Sequence, residues 1–483
     1  MYRLKLFVFL LISPYLSHFP LVNASEYSQP GFYDVEHYHL SNGLQVVVKP
    51  RHNARNVSIQ LIVDIGHMNF PCGKRETAHF LEHLLFTGTD QHSEPELHDV
   101  IESHGGSWNA ETGPDYTLYY IDIYSKHVDV ALSTLDEIIT RSTITPENVE
   151  KSRKIIYRED GGKSSALRSW LFENDIIVDA SDRALNLIFP GIEYQCKTRD
   201  NTASITHDEI MQAYKSYYVA GNMTLVLVGD FDLDKTKLLI ETTLGTMPKV
   251  PLDGVKRRPL AGPFKPVTGI IEGRWQPIVG SEASVHLLYR TSGIYSPDFY
   301  ALTVLESYFQ TELYNRLRID EGMAYDPTAY MYAHDDYGAF VLETDSELED
   351  VDRNIQLIKT TIAQFKEGKL DQDRLDDVKQ KLLLAVARGY ESNSSFAGYY
   401  AMNAEELSRY GKYENYEEHI EKVSLKDIQN ATRAYFNDDN LVITVVKPTF
   451  SYTQFYLLIL TGIALLSLLS WRLIRKIAKR RVA

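Results

Sequence analysis

Two imidazoles and a carboxylate stand within five consecutive residues, His79-Phe80-Leu81-Glu82-His83. Imidazole nitrogen binds zinc well, and three protein ligands leave a fourth position for a water whose pKa falls to about 7. An unligated Glu82 beside that water can take its proton and hand it to a leaving amine. The chemistry in prospect is hydrolysis of a peptide bond, with His79 and His83 as ligands and Glu82 as general base.

For these groups to converge, their backbone must be helical. Thr77 to Phe86 contains no helix breaker, and the first one downstream is Gly88. At about 3.6 residues per turn, His79 and His83 fall one turn apart on one face with Glu82 beside them. Phe80, Leu81, Leu84 and Leu85 supply apolar faces that bury such a helix, so polar groups on it need partners or a metal.

The surrounding chain is written twice, at an offset of 218 residues. Ile205-Thr206-His207-Asp208-Glu209-Ile210 returns as Val423-Ser424-Leu425-Lys426-Asp427-Ile428, each a hydroxyl N-cap answered three positions on by an acidic residue. The alignment runs on without a gap to Asn222–Val228 and Asn440–Val446, both β-branched strands. Five prolines and two glycines between Pro248 and Pro266 mark a linker. The expected organisation is α+β, two homologous α/β-sandwich domains at residues 33–245 and 268–448 joined by a linker at 246–267. Strands are expected at Leu44–Val48, Val57–Val63 and Thr117–Ile123.

The order His-x-x-Glu-His reverses the commoner His-Glu-x-x-His and is the mark of inverzincins. Between residues 33 and 448 the chain resembles the pitrilysin/insulinase peptidases, in particular their smaller members similar to mitochondrial processing peptidase. That resemblance implies a third zinc ligand late in a helix, and Glu159, 76 residues past His83, matches in spacing and context; the neighbouring Asp160 also falls in range. It implies one zinc ion per chain. Gly105-Gly106-Ser107-Trp108-Asn109-Ala110 looks like the family's edge strand, where Asn109 and the backbone at Ala110 would hold substrate as an added strand. Arg318 and Tyr325 match a segment that supplies an arginine and a tyrosine to bind the substrate carbonyl and stabilise the oxyanion.

The sequence departs from that pattern in places. Ser152 stands seven residues before Glu159, where a second glutamate is usual, which leaves the second shell of the metal weaker or differently arranged. Phe189–Tyr194 lacks the usual histidine and proline after Gly191. The second half has no histidine near Tyr300–Glu306, so zinc belongs to the first half alone. His92, His98 and His104 lack ligand-like spacing and read as surface residues.

The two ends address the chain to a membrane. Residues 1–24 combine a basic start, an apolar run and small residues at Asn23-Ala24, the pattern of a signal peptide. Residues 455–471 carry no charge and are long enough to span a bilayer; six basic residues follow in 472–483, which the positive-inside rule places in the cytoplasm. The body is therefore expected outside the cytoplasm, facing the periplasm from a bacterial inner membrane or lying in a eukaryotic secretory-pathway membrane. The formal charge of −15 becomes −23 for the body once Arg3, Lys5 and the six tail residues are set aside, which disfavours nucleic-acid binding. Cys72 and Cys196 give no disulfide framework, and their separation leaves their pairing open. Beyond the leader, glycosylation sequons begin at Asn56, Asn222, Asn393 and Asn430.

The expected function is zinc-dependent endopeptidase acting on peptides or unfolded polypeptides in a closed chamber. The alternative is a catalytically inactive structural or assembly subunit of the same fold. Since the family builds its clamshell from four such domains, a two-domain chain is expected to work as a homodimer or as one of two paired subunits.

Overall fold

A computed structural model describes residues 31–159, 161–163, 165–174, 180–192, 196, 202–252, 261–267, 269–274 and 278–482. The leader read at residues 1–24 and the alternative ligand Asp160 lie outside the described residues.

The first six strands are β1 (Glu36–His39), β2 (Gln45–Pro50), β3 (Asn56–Val63), β4 (Ser107–Thr112), β5 (Thr117–Tyr124) and β6 (Met223–Gly229). They form one sheet in the order β1-β2-β6-β3-β5-β4, antiparallel except for the β2/β6 pair. Helices α1 (Thr77–Leu84), α2 (Glu94–Glu102), α3 (Val128–Arg141), α4 (Pro146–Glu159), α5 (Ala166–Glu173), α6 (Ala180–Ile188), α7 (His207–Tyr217) and α8 (Leu233–Thr242) belong to the same half of the sequence.

The second half supplies β7 (Ile270–Arg274), β8 (Val279–Gly280), β9 (Glu282–Thr291), β10 (Thr328–Ala333), β11 (Gly338–Glu347), β12 (Leu441–Lys447) and β13 (Phe450–Ser451). Five of these make a sheet in the order β10-β11-β9-β12-β7, while β8 and β13 pair separately. Its helices are α9 (Phe299–Leu313), α10 (Val351–Lys366), α11 (Gln372–Gly389), α12 (Asn393–Met402), α13 (Glu405–Tyr410), α14 (Tyr416–Lys422) and α15 (Leu425–Tyr435). One further helix, α16 (Tyr452–Val482), is long and apolar enough over Tyr452–Lys476 to cross a membrane and is unburied there.

The repeat is visible element by element. Helix α7 and strand β6 return as α15 and β12 with every boundary shifted by 218 residues. Both helices open with a capping box: Thr206 accepts from the Glu209 amide and Ser424 from the Asp427 amide, and each acid reaches back to the cap. The strand order of the second sheet matches the first with β4 and β10 at corresponding edges and with one strand fewer at the other end.

Each sheet packs one face on helices of its own half. The other face takes a helix from the opposite half. Phe396, Ala397 and Tyr400 of α12 cover Val47, Ile62 and Val226 of the first sheet. Ala184, Leu185 and Ile188 of α6 cover Leu288, Val341 and Val442 of the second. Polar groups pin the first of these contacts. Asn393 donates to the Asn56 carbonyl at 3.0 Å and accepts from Arg51, whose guanidinium lies 3.6 Å from the Phe396 ring centre. Two of the sequons are removed from use by burial: Asn393 by this contact, 3% exposed, and Asn222 within its own half, 1% exposed, where it donates to the Tyr217 carbonyl at 3.1 Å.

Cys72 and Cys196, left open as a pair by the sequence, are bridged, with Cα atoms 5.4 Å apart. The bridge fastens the loop before α1 to residue 196. Such bonds persist in oxidising compartments.

Helix α9 carries a carboxyl that titrates near neutrality: burial pushes Glu306 up to about 7. Its folded value thus exceeds the unfolded one near 4.3, so the fold is favoured most below that value and loses stability as pH rises from about 4.5 through 7. At about 1.4 kcal/mol per unit the loss amounts to about 3.5 kcal/mol above pH 8. Glu306→Gln should therefore raise the melting temperature of the full chain by several degrees at pH 8 and leave it nearly unchanged at pH 4.5. Equal shifts at the two pH values in calorimetry would contradict this.

Candidate metal and peptidase site

The motif helix α1 is anchored by its apolar residues: Ala78, Phe80, Leu81 and Leu84 are fully buried, and so is the Leu85 that follows. This turns His79, Glu82 and His83 toward the space between α4 and the edge strand β4. Helix α4 starts on Pro146, whose fixed φ suits a first turn, and buries Val149, Ser152 and Ile156. Glu159 is its last residue. The chain then reverses at Gly161, whose φ of +77° is the left-handed conformation that ends helices.

Three donor atoms meet across this space. His79 Nε2 and His83 Nε2 are 3.1 Å apart, and Glu159 Oε2 is 3.3 Å from each. In a tetrahedral site with bonds of about 2.05 Å, neighbouring donors stand about 3.3 Å apart. Two imidazole nitrogens and one carboxylate oxygen at that spacing fit a zinc ion with one position open. Glu82 stands in the same group, its ligand atom within 4.8 Å of those of His79 and His83. Its carboxylate is engaged elsewhere, accepting from Thr112 Oγ1 of β4 at 2.5 Å, which leaves Glu159 as the better third ligand.

Behind His79, Nδ1 lies 2.9 Å from Glu76 Oε2. Burial opposes the charged form of Glu76, but the His79 hydrogen bond and the charges of His67, His79 and His83 outweigh it and hold its pKa below the ordinary value. Burial likewise opposes imidazolium at His79, and the Glu76 bond, aided by the charges of Glu76, Glu82 and Glu159, raises its pKa in spite of that. Ser152 lines the cleft with its hydroxyl buried and unpartnered. Neither Glu76 nor Thr112 was signalled by the sequence reading. A carboxylate three residues before His79 was the available signal for Glu76.

Strand β4 forms the rim of the cleft and the edge of the first sheet, so among the described residues its outer backbone groups have no strand beside them. Asn109 and Ala110 both line the cleft; Asn109 Oδ1 accepts from the Ala110 amide at 2.9 Å. Phe86 closes the floor edge-on against Trp108, ring centres 4.6 Å apart.

Arg318 and Tyr325 lie apart from this cleft. Its lining among the described residues comes wholly from the first half. Arg318 sits in the π-helical turn Tyr314–Asp320 that extends α9, donates to the Tyr325 carbonyl, and places its guanidinium 4.5 Å from the Tyr325 ring centre. Asp345 accepts from the Tyr325 amide at 2.8 Å, and the Tyr325 side chain projects into solvent, 73% exposed. The three histidines without ligand-like spacing take partners away from the cleft: His92 meets Glu137 at 2.9 Å, His98 meets Glu102 at 3.1 Å, and His104 Nδ1 lies 2.7 Å from the Val100 carbonyl.

The sequence model described as insulinase (peptidase family M16) matches residues 45–174, and that described as peptidase M16 inactive domain matches residues 204–382. The chain belongs to the insulinase (M16) peptidase family. The first match spans the motif helix, α4 and β4; the second covers much of the repeat without the zinc motif. Among M16 relatives, the β subunit of mitochondrial-processing peptidase from Lentinula edodes is 28% identical over 56% of this chain, which spans about half (56%) of that relative's length. The zinc protease YmxG of Bacillus subtilis is 21% identical over 86% of this chain and 98% of its own. In fold, a protease from Helicobacter pylori aligns with TM-score 0.73 at 20% identity, covering 86% of this chain and 99% of that one. The periplasmic protease PqqL of Escherichia coli aligns with TM-score 0.66 at 17% identity, covering 86% of this chain but only 47% of that one. The M16 fold with its two mixed α/β halves follows from this membership.

Proposed function

We propose that the chain is a membrane-anchored zinc endopeptidase of the M16 family, with His79, His83 and Glu159 holding one zinc ion and Glu82 acting as general base. The observation that carries this reading is the near-equilateral triangle of two imidazole nitrogens and one carboxylate oxygen, with an unligated carboxylate beside it. When bound, zinc supplies an acidified water and polarises the scissile carbonyl. Glu82, steadied by Thr112, accepts the water's proton and returns it to the leaving amine. The free edge of β4 takes an extended peptide as an added strand, with Asn109 and the Ala110 backbone along it. Arg318 and Tyr325, outside the cleft of their own chain, serve the cleft of a second chain, where a fixed cation and a phenol can receive the oxyanion. PqqL, about twice the length that this chain covers, is consistent with pairing two such two-domain units.

Zinc analysis and hydrolysis of a quenched-peptide library by the full chain in detergent test the reading. The expected result is about one zinc per chain and measurable turnover, with zinc content lowered in Glu159→Gln, since an amide lacks the ligand's charge. A chain with full zinc and no turnover toward any peptide would instead be the inactive structural subunit.

The body is placed outside the cytoplasm, with α16 as the anchor and residues 472–483 inside. The apolar span and the Cys72–Cys196 bridge support that orientation. Protease added to the non-cytoplasmic face should digest the body and spare the basic tail; protection of the whole chain would reverse the topology.

A further inference from the structure

We propose that Glu76 is the positioning residue of the metal site: its carboxylate fixes the His79 imidazole in the tautomer and orientation that metal binding requires. The proposal rests on the zinc reading above.

Glu76 occupies the position just before α1. Its backbone does the work of starting the helix, with its carbonyl accepting from the Phe80 amide at 2.8 Å. Its side chain makes no capping bond to the helix start. Oε2 turns instead to His79 Nδ1 at 2.9 Å, where the carboxylate side chain is only 17% exposed. Burying a carboxylate is costly unless it is paired, and the pairing chosen here is with a candidate ligand.

A neutral imidazole has one N–H. Giving it to Glu76 from Nδ1 leaves the lone pair on Nε2, the nitrogen that faces His83 and Glu159. A carboxylate behind a ligating histidine also raises the ligand's basicity and holds the ring plane. Ser152 does neither, because its buried hydroxyl reaches no partner. Among the described residues no carboxylate is recorded against Nδ1 of His83, so the support falls on one ligand of the two.

The test measures zinc affinity of the full chain by competition with a chelator, together with thermal unfolding of the metal-free form. Glu76→Gln keeps size and an acceptor oxygen but loses the charge; Glu76→Ala loses both. Zinc should bind about tenfold more weakly to the first and up to about a hundredfold more weakly to the second, the range for such supporting groups. The metal-free Gln variant should melt at the wild-type temperature, which separates orientation of the ligand from support of the helix start. Wild-type affinity in both variants overturns the proposal, as does an affinity loss matched by an equal fall in metal-free stability of the Gln variant. A wild-type chain that binds no zinc would remove the zinc reading itself and this inference with it.

Discussion

Glu82→Gln should keep one zinc per chain and lose peptide hydrolysis by about a hundredfold or more, the scale of a deleted general base. The three candidate ligand atoms converge without Glu82, so the metal's hold is untouched by the change. What goes is an acceptor for the water's proton, because an amide cannot carry it. Glu82 is also close to ideal for this comparison, since Gln retains an oxygen for Thr112 Oγ1 and disturbs little else in the cleft. The measurements are zinc by elemental analysis and kcat/KM on a quenched peptide. Full activity at full zinc occupancy would refute the assignment of the base.

A pair of defective chains should restore one another. Glu82→Gln should disable the general base beside the zinc site, and the double variant Arg318→Ala, Tyr325→Phe should disable the proposed oxyanion-binding half. Each alone should be inactive. The cleft among the described residues is lined from the first half only, while Tyr325 stands 73% exposed with Arg318 stacked on it, so the two halves of the machinery do not meet within a chain. When the variants are co-expressed, random pairing makes about half the dimers mixed, and one site of the two in each joins an intact zinc half to an intact Arg/Tyr half. Activity should return to roughly a quarter of wild type by that counting. No recovery would mean that every site is built within one chain.

The local features of this molecule were legible because they are periodic or contiguous. The strands expected at Leu44–Val48, Val57–Val63 and Thr117–Ile123 appear as β2, β3 and β5 with boundaries moved by at most two residues. The repeat carried its own capping chemistry at Thr206/Glu209 and Ser424/Asp427, which is short-range and so readable from sequence. The helix around His79 followed from an unbroken run of helix formers. Contacts made over long separations were not legible. Nothing across a separation of 124 residues announces that Cys72 meets Cys196. Thr112 reaches Glu82 only because β4 folds beside α1, and a hydroxyl thirty residues from a motif looks like any other. Glu76 was near enough to notice, but a carboxylate before a helix is ordinarily a cap, and only its rotamer reveals a different partner. The burial of the sequon at Asn393 has no local signature either, because it comes from the seating of α12 on the sheet of the opposite half.

That exchange of helices alters what the duplication means. With α12 seated on the first sheet and α6 on the second, each copy of the ancestral unit has surrendered one wall of its own core to its sibling. Neither copy is a module in the sense of something that can be excised, shuffled or inherited alone; cut at the linker, both would present a bare sheet face of Val, Ile and Leu to water. A change that loosens α12 is accordingly felt beneath the sheet on which the metal helix packs, although it lies more than three hundred residues downstream of that helix. The pseudo-symmetric pair is an obligate intramolecular heterodimer, and its two members are free to diverge in chemistry because they can no longer part in structure.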